Sequence, residues 1–468
     1  MAATAIETLA QFITTIPRER HPEAAIERAK CAFLDTIGCM VLGTDSVATQ
    51  AAIAAANGWG TGTAPVYGTG FTLPPPWAAM ANGASAHAYD LDDYTLQAND
   101  HASAVLVPAV LAASHQPGED VPGAALLDAY LVGLEVIFRV GEAVNMGHYK
   151  LGWHTTSTLD SFGATAAACR LWGLDAKATA AALSLTTSLG SGYVSQFGTS
   201  AKPLHAGFSA KTGLVAAGLG RSGATAYMGA LDGAVSFSTL LMPAGEARFE
   251  ASLAKLGDPW GIEEFGLGAK VYPSCGYTHR SIDCAIELHH TLGIQSADEI
   301  VSAAASLPDF HLAILPFGVP KDRTEALFST AYCVALGLVT GSNRIADFTD
   351  EAVKREDILS LAGRVDVKSR VPCRPEINLD AQDPDWVEVV LRDGRRGSAQ
   401  IGIWTGAPGR DLSLQQFENK FRECMSLSGK SVTDQVDEVL EAVSSLDTNA
   451  SIREIEGALA VSVLARDD

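Results

Sequence analysis

Aromatic side chains are scarce in this chain of 468 residues, at 7%, and no apolar run is long enough to span a bilayer. A core with few large rings must be closed by small residues, and 44 glycines with abundant alanine suit helices packed at short range. The eight cysteines include no C-x-x-C pair, so neither a zinc site nor a disulfide framework is indicated. Free, buried thiols in a reducing compartment are the expectation. A dinucleotide fingerprint is also missing: Gly58-Trp59-Gly60-Thr61-Gly62 has the wrong spacing and Gly68-Thr69-Gly70 follows no strand, which leaves nicotinamide and flavin unsupported. The first twelve residues carry Glu7 and no basic stretch, so they read as an amphipathic helix, not a signal peptide, and a cytoplasmic location is expected. Positive charge is short as well, with 33 Lys and Arg against 54 Asp and Glu, a net charge of -21 that disfavours nucleic acid and anionic membranes as partners. In such a chain, local clusters of Lys, Arg and His are informative.

What is present is helical periodicity. Residues 22–42 place Ile26, Ala29, Phe33, Ile37 and Met40 on one stripe, and 124–144, 157–171, 177–189, 206–219 and 227–241 repeat the pattern. A proline elbow at 74–76 precedes a helix beginning near Trp77. After Gly268 the period changes. Residues 299–307 and 365–367 alternate as half-buried strands, and 386–391 and 398–404 flank an Asp393-Gly394 hairpin turn, with helices at 281–292 and 324–338. Helical periodicity returns at 415–424, 432–444 and 452–464. The expected fold is mainly α: a large all-helical domain built from residues 1–268 and the returning helices of 405–468, with a smaller α/β domain over 269–404.

Four segments could carry chemistry. In His87-Ala88-Tyr89-Asp90-Leu91-Asp92-Asp93-Tyr94-Thr95, followed by His101, helical spacing would put Asp90 and Asp93, or Asp90 and Tyr94, on one face. These acids and histidines match no established metal-ligand spacing, so no metal is expected; helix capping is the bland alternative. His154 precedes a helix rich in cap residues, whose amides would favour an anion and depress its basicity. Lys202 stands before Pro203 in an expected loop leading to a small-residue helix past His205, where partial burial would lower its basicity; a snorkelling lysine is the alternative. Lys270-Val271-Tyr272-Pro273-Ser274-Cys275-Gly276-Tyr277-Thr278-His279-Arg280 concentrates cations and aromatics at the expected domain junction, where clefts form, and Tyr332 could add a phenol.

Together with Ala29-Lys30-Cys31-Ala32-Phe33-Leu34-Asp35-Thr36-Ile37-Gly38, the motifs H-x-x-D-x-D-D, G-x-H, K-P-L-H-A-G and Y-P-x-C-x-x-T-H occur in order along the chain, and the whole resembles the MmgE/PrpD family. That family includes 2-methylcitrate dehydratases, cis-aconitate decarboxylases and iminodisuccinate epimerase. The resemblance implies a homodimer that acts on a small di- or tricarboxylate without metal or organic cofactor. It also implies catalytic roles for Asp90, His101, His154 and Lys202, with Tyr94, Thr95, His205, Tyr272, Cys275, His279, Arg280 and Tyr332 binding substrate. Three positions depart from the decarboxylases: His101 lies one residue further from Asp90, Tyr94 stands in place of Thr, and Cys275 stands in place of a His. Abstracting a proton alpha to a carboxylate creates an enediolate-like anion, which needs a base and preorganised donors. The expected reaction is epimerisation at such a carbon, on iminodisuccinate, with methylcitrate-type dehydration as the alternative. Decarboxylation of cis-aconitate, or a Ser-Lys amidohydrolase built on Ser200 and Lys202, stands behind both.

Overall fold

Thr4 and Glu7 exchange hydrogen bonds as a capping box and start the helix Ala5–Thr15, whose stripe Ile6, Leu9, Ala10 and Ile13 is buried. The computed structural model describes residues 3–115, 120–429, 435–448 and 451–459. Pro22 stands immediately before the helix Glu23–Leu42. The helix Ala102–Ala113 is buried at every position and Gly123–Val144 at nearly every one. Helices apolar on all sides belong at a centre, and these two run through the larger hydrophobic core. Among the described residues no single helix is long and apolar enough to cross a membrane.

The molecule is helix-rich with a small sheet. A second hydrophobic core lies on that sheet, whose strands β3 (Ile300–Pro308), β4 (Val365–Arg370), β5 (Asp385–Leu391) and β6 (Arg396–Ile401) stand in the order β4-β3-β5-β6. β3 pairs in parallel with β4, the other pairs are antiparallel, and Asp393-Gly394 turns β5 into β6 with Gly394 at φ 90°. Helices His279–Leu292 and Thr330–Thr340 contribute Ile282, Leu288, Val334 and Leu336 to this core. From the far end of the chain, helix Leu414–Leu427 packs on Glu23–Leu42, where Lys420 lies 2.5 Å from the buried Asp35 and donates to the carbonyl of Leu91 at 2.7 Å.

Several expected elements differ. The stretch expected to be all helix also holds a short antiparallel pair, β1 (Ala64–Pro65) and β2 (Thr72–Leu73). Residues 227–241 are mostly turns around the short helix Phe237–Leu240, because Gly229 and Gly233 weaken a helical run there. The helix expected over 324–338 breaks into Arg323–Ala326 and Thr330–Thr340, where Ser329 caps the second piece by accepting from the Tyr332 amide. Residues 87–100 are turns and bends, not helix. Lys202, expected in a loop, lies in the first turn of helix Ala201–Arg221, where Pro203 lacks an N–H that would have no partner anyway. Of the expected terminal helices, Val436–Ser444 and Ile452–Ala458 are seen; residues 432–434 and 460–464 fall outside the described ones.

Two packing contacts fix the backbone around residues 87–103. Helix Pro75–Ala86 crosses Ala201–Arg221 glycine to glycine: a methyl on Gly207 would overlap the Met80 carbonyl, and one on Gly83 would come within 3.0 Å of the Gly207 Cα. Asp93, fully buried, accepts from the amide of Ser103 at 3.1 Å and from its hydroxyl, which also meets the Tyr130 hydroxyl at 2.7 Å, so the carboxyl anchors the start of Ala102–Ala113. Burial outweighs these hydrogen bonds and raises Asp93 to about 7.

Gly207→Ala is expected to destabilise the protein by ~1–3 kcal/mol through overpacking, even though alanine is intrinsically the better helix former by about 1 kcal/mol; urea unfolding checks the sign. A carboxyl whose folded pKa is raised contributes stability that is complete below its unfolded value and is lost as pH rises through the folded one. The non-titrating Asp93→Asn should therefore gain on the wild type by on the order of 1 kcal/mol or more between about pH 5 and about pH 8, read by unfolding at both.

Candidate active site

The glycine crossing brings the C-terminal end of helix Pro75–Ala86 beside the N-terminal end of Ala201–Arg221. His87 follows the first helix and Lys202 opens the second, and Lys202 Nζ lies 2.7 Å from His87 Nε2. Beyond His87 the chain turns back through two residues with left-handed backbone, Asp90 at φ 51° and Asn99 at φ 58°, before His101 starts the next helix. This turn carries Asp90 between two lysines. Its Oδ1 is 3.0 Å from Lys202 Nζ and 2.5 Å from Lys270 Nζ, and Lys270 also donates to the Asp90 carbonyl at 2.9 Å. All three residues are buried.

Burial by itself pushes the Asp90 carboxyl up, but the ammonium groups of Lys202 and Lys270, together with His101, hold it well below the usual carboxylate range. Lys202 moves the other way: burial lowers its pKa, against the attraction of Asp90. These three imidazoles are pushed down, chiefly by burial and then by neighbouring positive groups, His101 to about 3, His205 to about 4, and His154 well below the ordinary imidazole range. His154 and His205 share one proton between Nδ1 atoms 2.8 Å apart. His101 Nδ1 lies 3.0 Å from the Asp93 carbonyl, which only accepts, so that nitrogen carries the hydrogen and Nε2 keeps its lone pair, 3.6 Å from Asp90 Oδ1. Cys275 stays a thiol, raised to about 11 mainly by burial. The site thus combines neutral imidazoles and an amine of lowered basicity with protonated thiol and phenol groups.

These groups surround a small cleft. Of the expected residues, Asp90, Tyr94, Thr95, His101, His154, Lys202 and Cys275 line it. His205 stands behind His154. Four expected substrate contacts are absent from the wall because their polar ends are engaged elsewhere. Tyr272 donates to Asp283 at 2.6 Å, His279 is buried against the Ser274 carbonyl at 3.3 Å, Arg280 pairs with Asp385 at 2.7 Å, and Tyr332 donates to the Asp347 carbonyl at 3.1 Å. The Ser200–Lys202 pairing of a hydrolase is not assembled either: Ser200 is exposed, and Lys202 Nζ turns to Asp90 and His87.

Sequence reasoning placed Lys270, Tyr277 and His87 in candidate segments without giving them a role, and it passed over Tyr149 and Trp404 on the cleft wall. The signal for Lys270 was available, since it follows Leu267-Gly268-Ala269 as Lys202 leads into small residues, and a lysine in such surroundings must find a buried counter-charge. His87, Asp90, Asp92 and His101 bring potential metal-ligand atoms within 4.8 Å of one another. A resident dication fits them poorly, because the two carboxylates already balance the two ammonium groups around Asp90 and another two positive charges in this buried volume would go uncompensated.

Residues 7–250 match the MmgE/PrpD N-terminal domain and residues 272–446 the MmgE/PrpD C-terminal domain. The chain is similar to the cis-aconitate decarboxylase of Mus musculus, 26% identical over 470 residues that cover 96% of this chain and 91% of that protein. It is similar to that of Homo sapiens, 26% identical over 462 residues covering 96% and 92%. The Aspergillus terreus enzyme of the same name is 27% identical over 377 residues covering 76% of each. The chain belongs to the MmgE/PrpD family.

Proposed function

We propose that the chain is a cofactor-independent epimerase that inverts a carbon alpha to a carboxylate in a small polycarboxylate, with iminodisuccinate as the substrate. The carrying observation is the buried Lys202 amine, lowered in basicity and held on the cleft wall beside neutral His101 and His154. A base of this kind takes a carbon-bound proton near neutral pH more readily than an ordinary lysine, and Lys270 supplies positive charge for the enediolate that forms. Reprotonation from the opposite face needs a group that holds a proton, and the Cys275 thiol and Tyr277 phenol are such groups on the same cleft.

A further observation favours a substrate with a hydrogen to donate. Asp90 Oδ2 is buried and has no hydrogen-bond partner among the described residues, and the secondary amine N–H of iminodisuccinate, or the hydroxyl of a methylcitrate, would satisfy it. Cis-aconitate has neither group. The second reading is a lyase: a methylcitrate-type dehydratase shares the first proton abstraction, whereas the similar proteins are named for a decarboxylation, which breaks a carbon–carbon bond instead. The same proposal takes residues 1–268 with 405–468 as one domain, 269–404 as the other, and a homodimer as the working unit.

Purified protein in deuterated water with iminodisuccinate stereoisomers, 2-methylcitrate and cis-aconitate separates the readings. Label incorporated with inversion supports the epimerase, whereas an unsaturated product or released carbon dioxide replaces it with a lyase. Lys202→Ala should cut exchange by ~100-fold or more while circular dichroism stays that of the wild type. Exchange left intact would remove Lys202 from the chemistry.

A further inference from the structure

Lys202 is held from behind by a chain of two buried groups. Its Nζ meets His87 Nε2 at 2.7 Å, and His87 Nδ1 lies 2.9 Å from both oxygens of Asp92. His87 and Asp92 are wholly buried, and neither lines the main cleft. Proton placement along the chain follows from donor and acceptor chemistry. A carboxylate only accepts, so Asp92 requires the hydrogen on Nδ1, and that leaves the Nε2 lone pair to accept from Lys202.

The amine nitrogen is tetrahedral. One vertex is its bond to Cε, the second points to Asp90 Oδ1 at 3.0 Å, and the third points to His87. One vertex remains. In the ammonium form it carries the transferable proton, and in the neutral amine it carries the lone pair. The rings of Phe197 and Phe328, each centred 5.3 Å from Nζ, confine it further. The charged and titratable groups around Lys202 are Asp90, Asp92, Lys270, Cys275, His87, His101, His154 and His205. Of these, Asp90 and His87 are within hydrogen-bonding distance of its nitrogen.

We propose that His87, fixed in its Nδ1–H tautomer by Asp92, is the positioning residue that aims the one free vertex of the Lys202 amine into the cleft. The proposal rests on the reading of Lys202 as the proton-transferring group. It predicts that the tautomer of His87, not merely its bulk, matters. Asp92→Asn keeps the shape but offers an amide N–H to Nδ1, which drives the hydrogen to Nε2, where it opposes the Lys202 N–H. His101, the other neighbour of Asp92, retains its bond to the Asp93 carbonyl in that variant.

The test uses the full chain. In histidine-15N-labelled wild type, His87 should show a protonated Nδ1 and an unprotonated Nε2, and Asp92→Asn should reverse them. In the deuterium-exchange assay, Asp92→Asn and His87→Leu should lower kcat by ~100-fold with KM within about threefold, since misdirecting a reacting group costs turnover more than binding. His87→Gln, whose carbonyl can accept from Lys202, should recover to within ~10-fold of the wild type. Should His87→Leu fail to fold, the Gln and Asn variants and the resonance decide. A wild-type His87 protonated on Nε2, or Asp92→Asn exchanging at the wild-type rate, overturns the proposal. Absence of exchange by the wild type with every substrate would instead overturn the reading of Lys202, while the resonance still judges the tautomer.

Discussion

One carboxylate oxygen, Asp90 Oδ1, faces two ammonium groups in the interior of the protein, and the geometry of the cleft depends on that contact. Taking three charges out of water costs several kcal/mol each unless they are matched at close range. The matching here is asymmetric: two cations share one anion, and Asp92 beyond His87 supplies the second negative charge that brings the group near balance. The left-handed backbone of Asp90 is unfavourable for a residue with a side chain, and the Lys270 bonds to both its carbonyl and its carboxylate hold it there. The same contact ties together three distant stretches: the turn after residue 87, the helix opening at 201, and the junction at 270.

This arrangement reconciles an acidic chain with an anionic substrate class. The net charge of -21 repels small carboxylates at long range, so affinity must come from cations at contact distance. Lys202 and Lys270 place two such cations on the cleft wall, and burial keeps the imidazoles nearby neutral. Neutral imidazole and a weakened amine are bases at ordinary pH. The cleft therefore attracts an anion and accepts its proton with the same few residues.

Small residues make this possible. Where Gly83 and Gly207 meet, two helices approach closely enough for the ends they carry to share a hydrogen bond between His87 and Lys202. An alanine-rich core with few aromatics thus has a direct consequence for chemistry, because the reach of an amine to an imidazole is set by backbone separation little more than one helical turn away.

Much of this was legible in the chain itself. Helical period, the switch to alternation near residue 300 and the Asp393-Gly394 turn depend on neighbours in sequence, and so do the motif residues that mark Asp90, His101, His154 and Lys202 as a set. What sequence could not decide was which members of the cationic stretch 270–280 face the cleft. Lys270 does, whereas Tyr272, His279 and Arg280 turn to Asp283, Ser274 and Asp385. Most of that stretch is bends and one 3-10 turn with a core on each side of it, so no periodic pattern says which core a given side chain enters. Residues 87–100 carried helical spacing but fold as turns, because the buried ion pairs of Asp90 outweigh local preference. Local order follows from residues a few positions apart; the cleft is made by charges 112 and 180 positions from Asp90, and only a folded chain brings such charges within hydrogen-bonding distance.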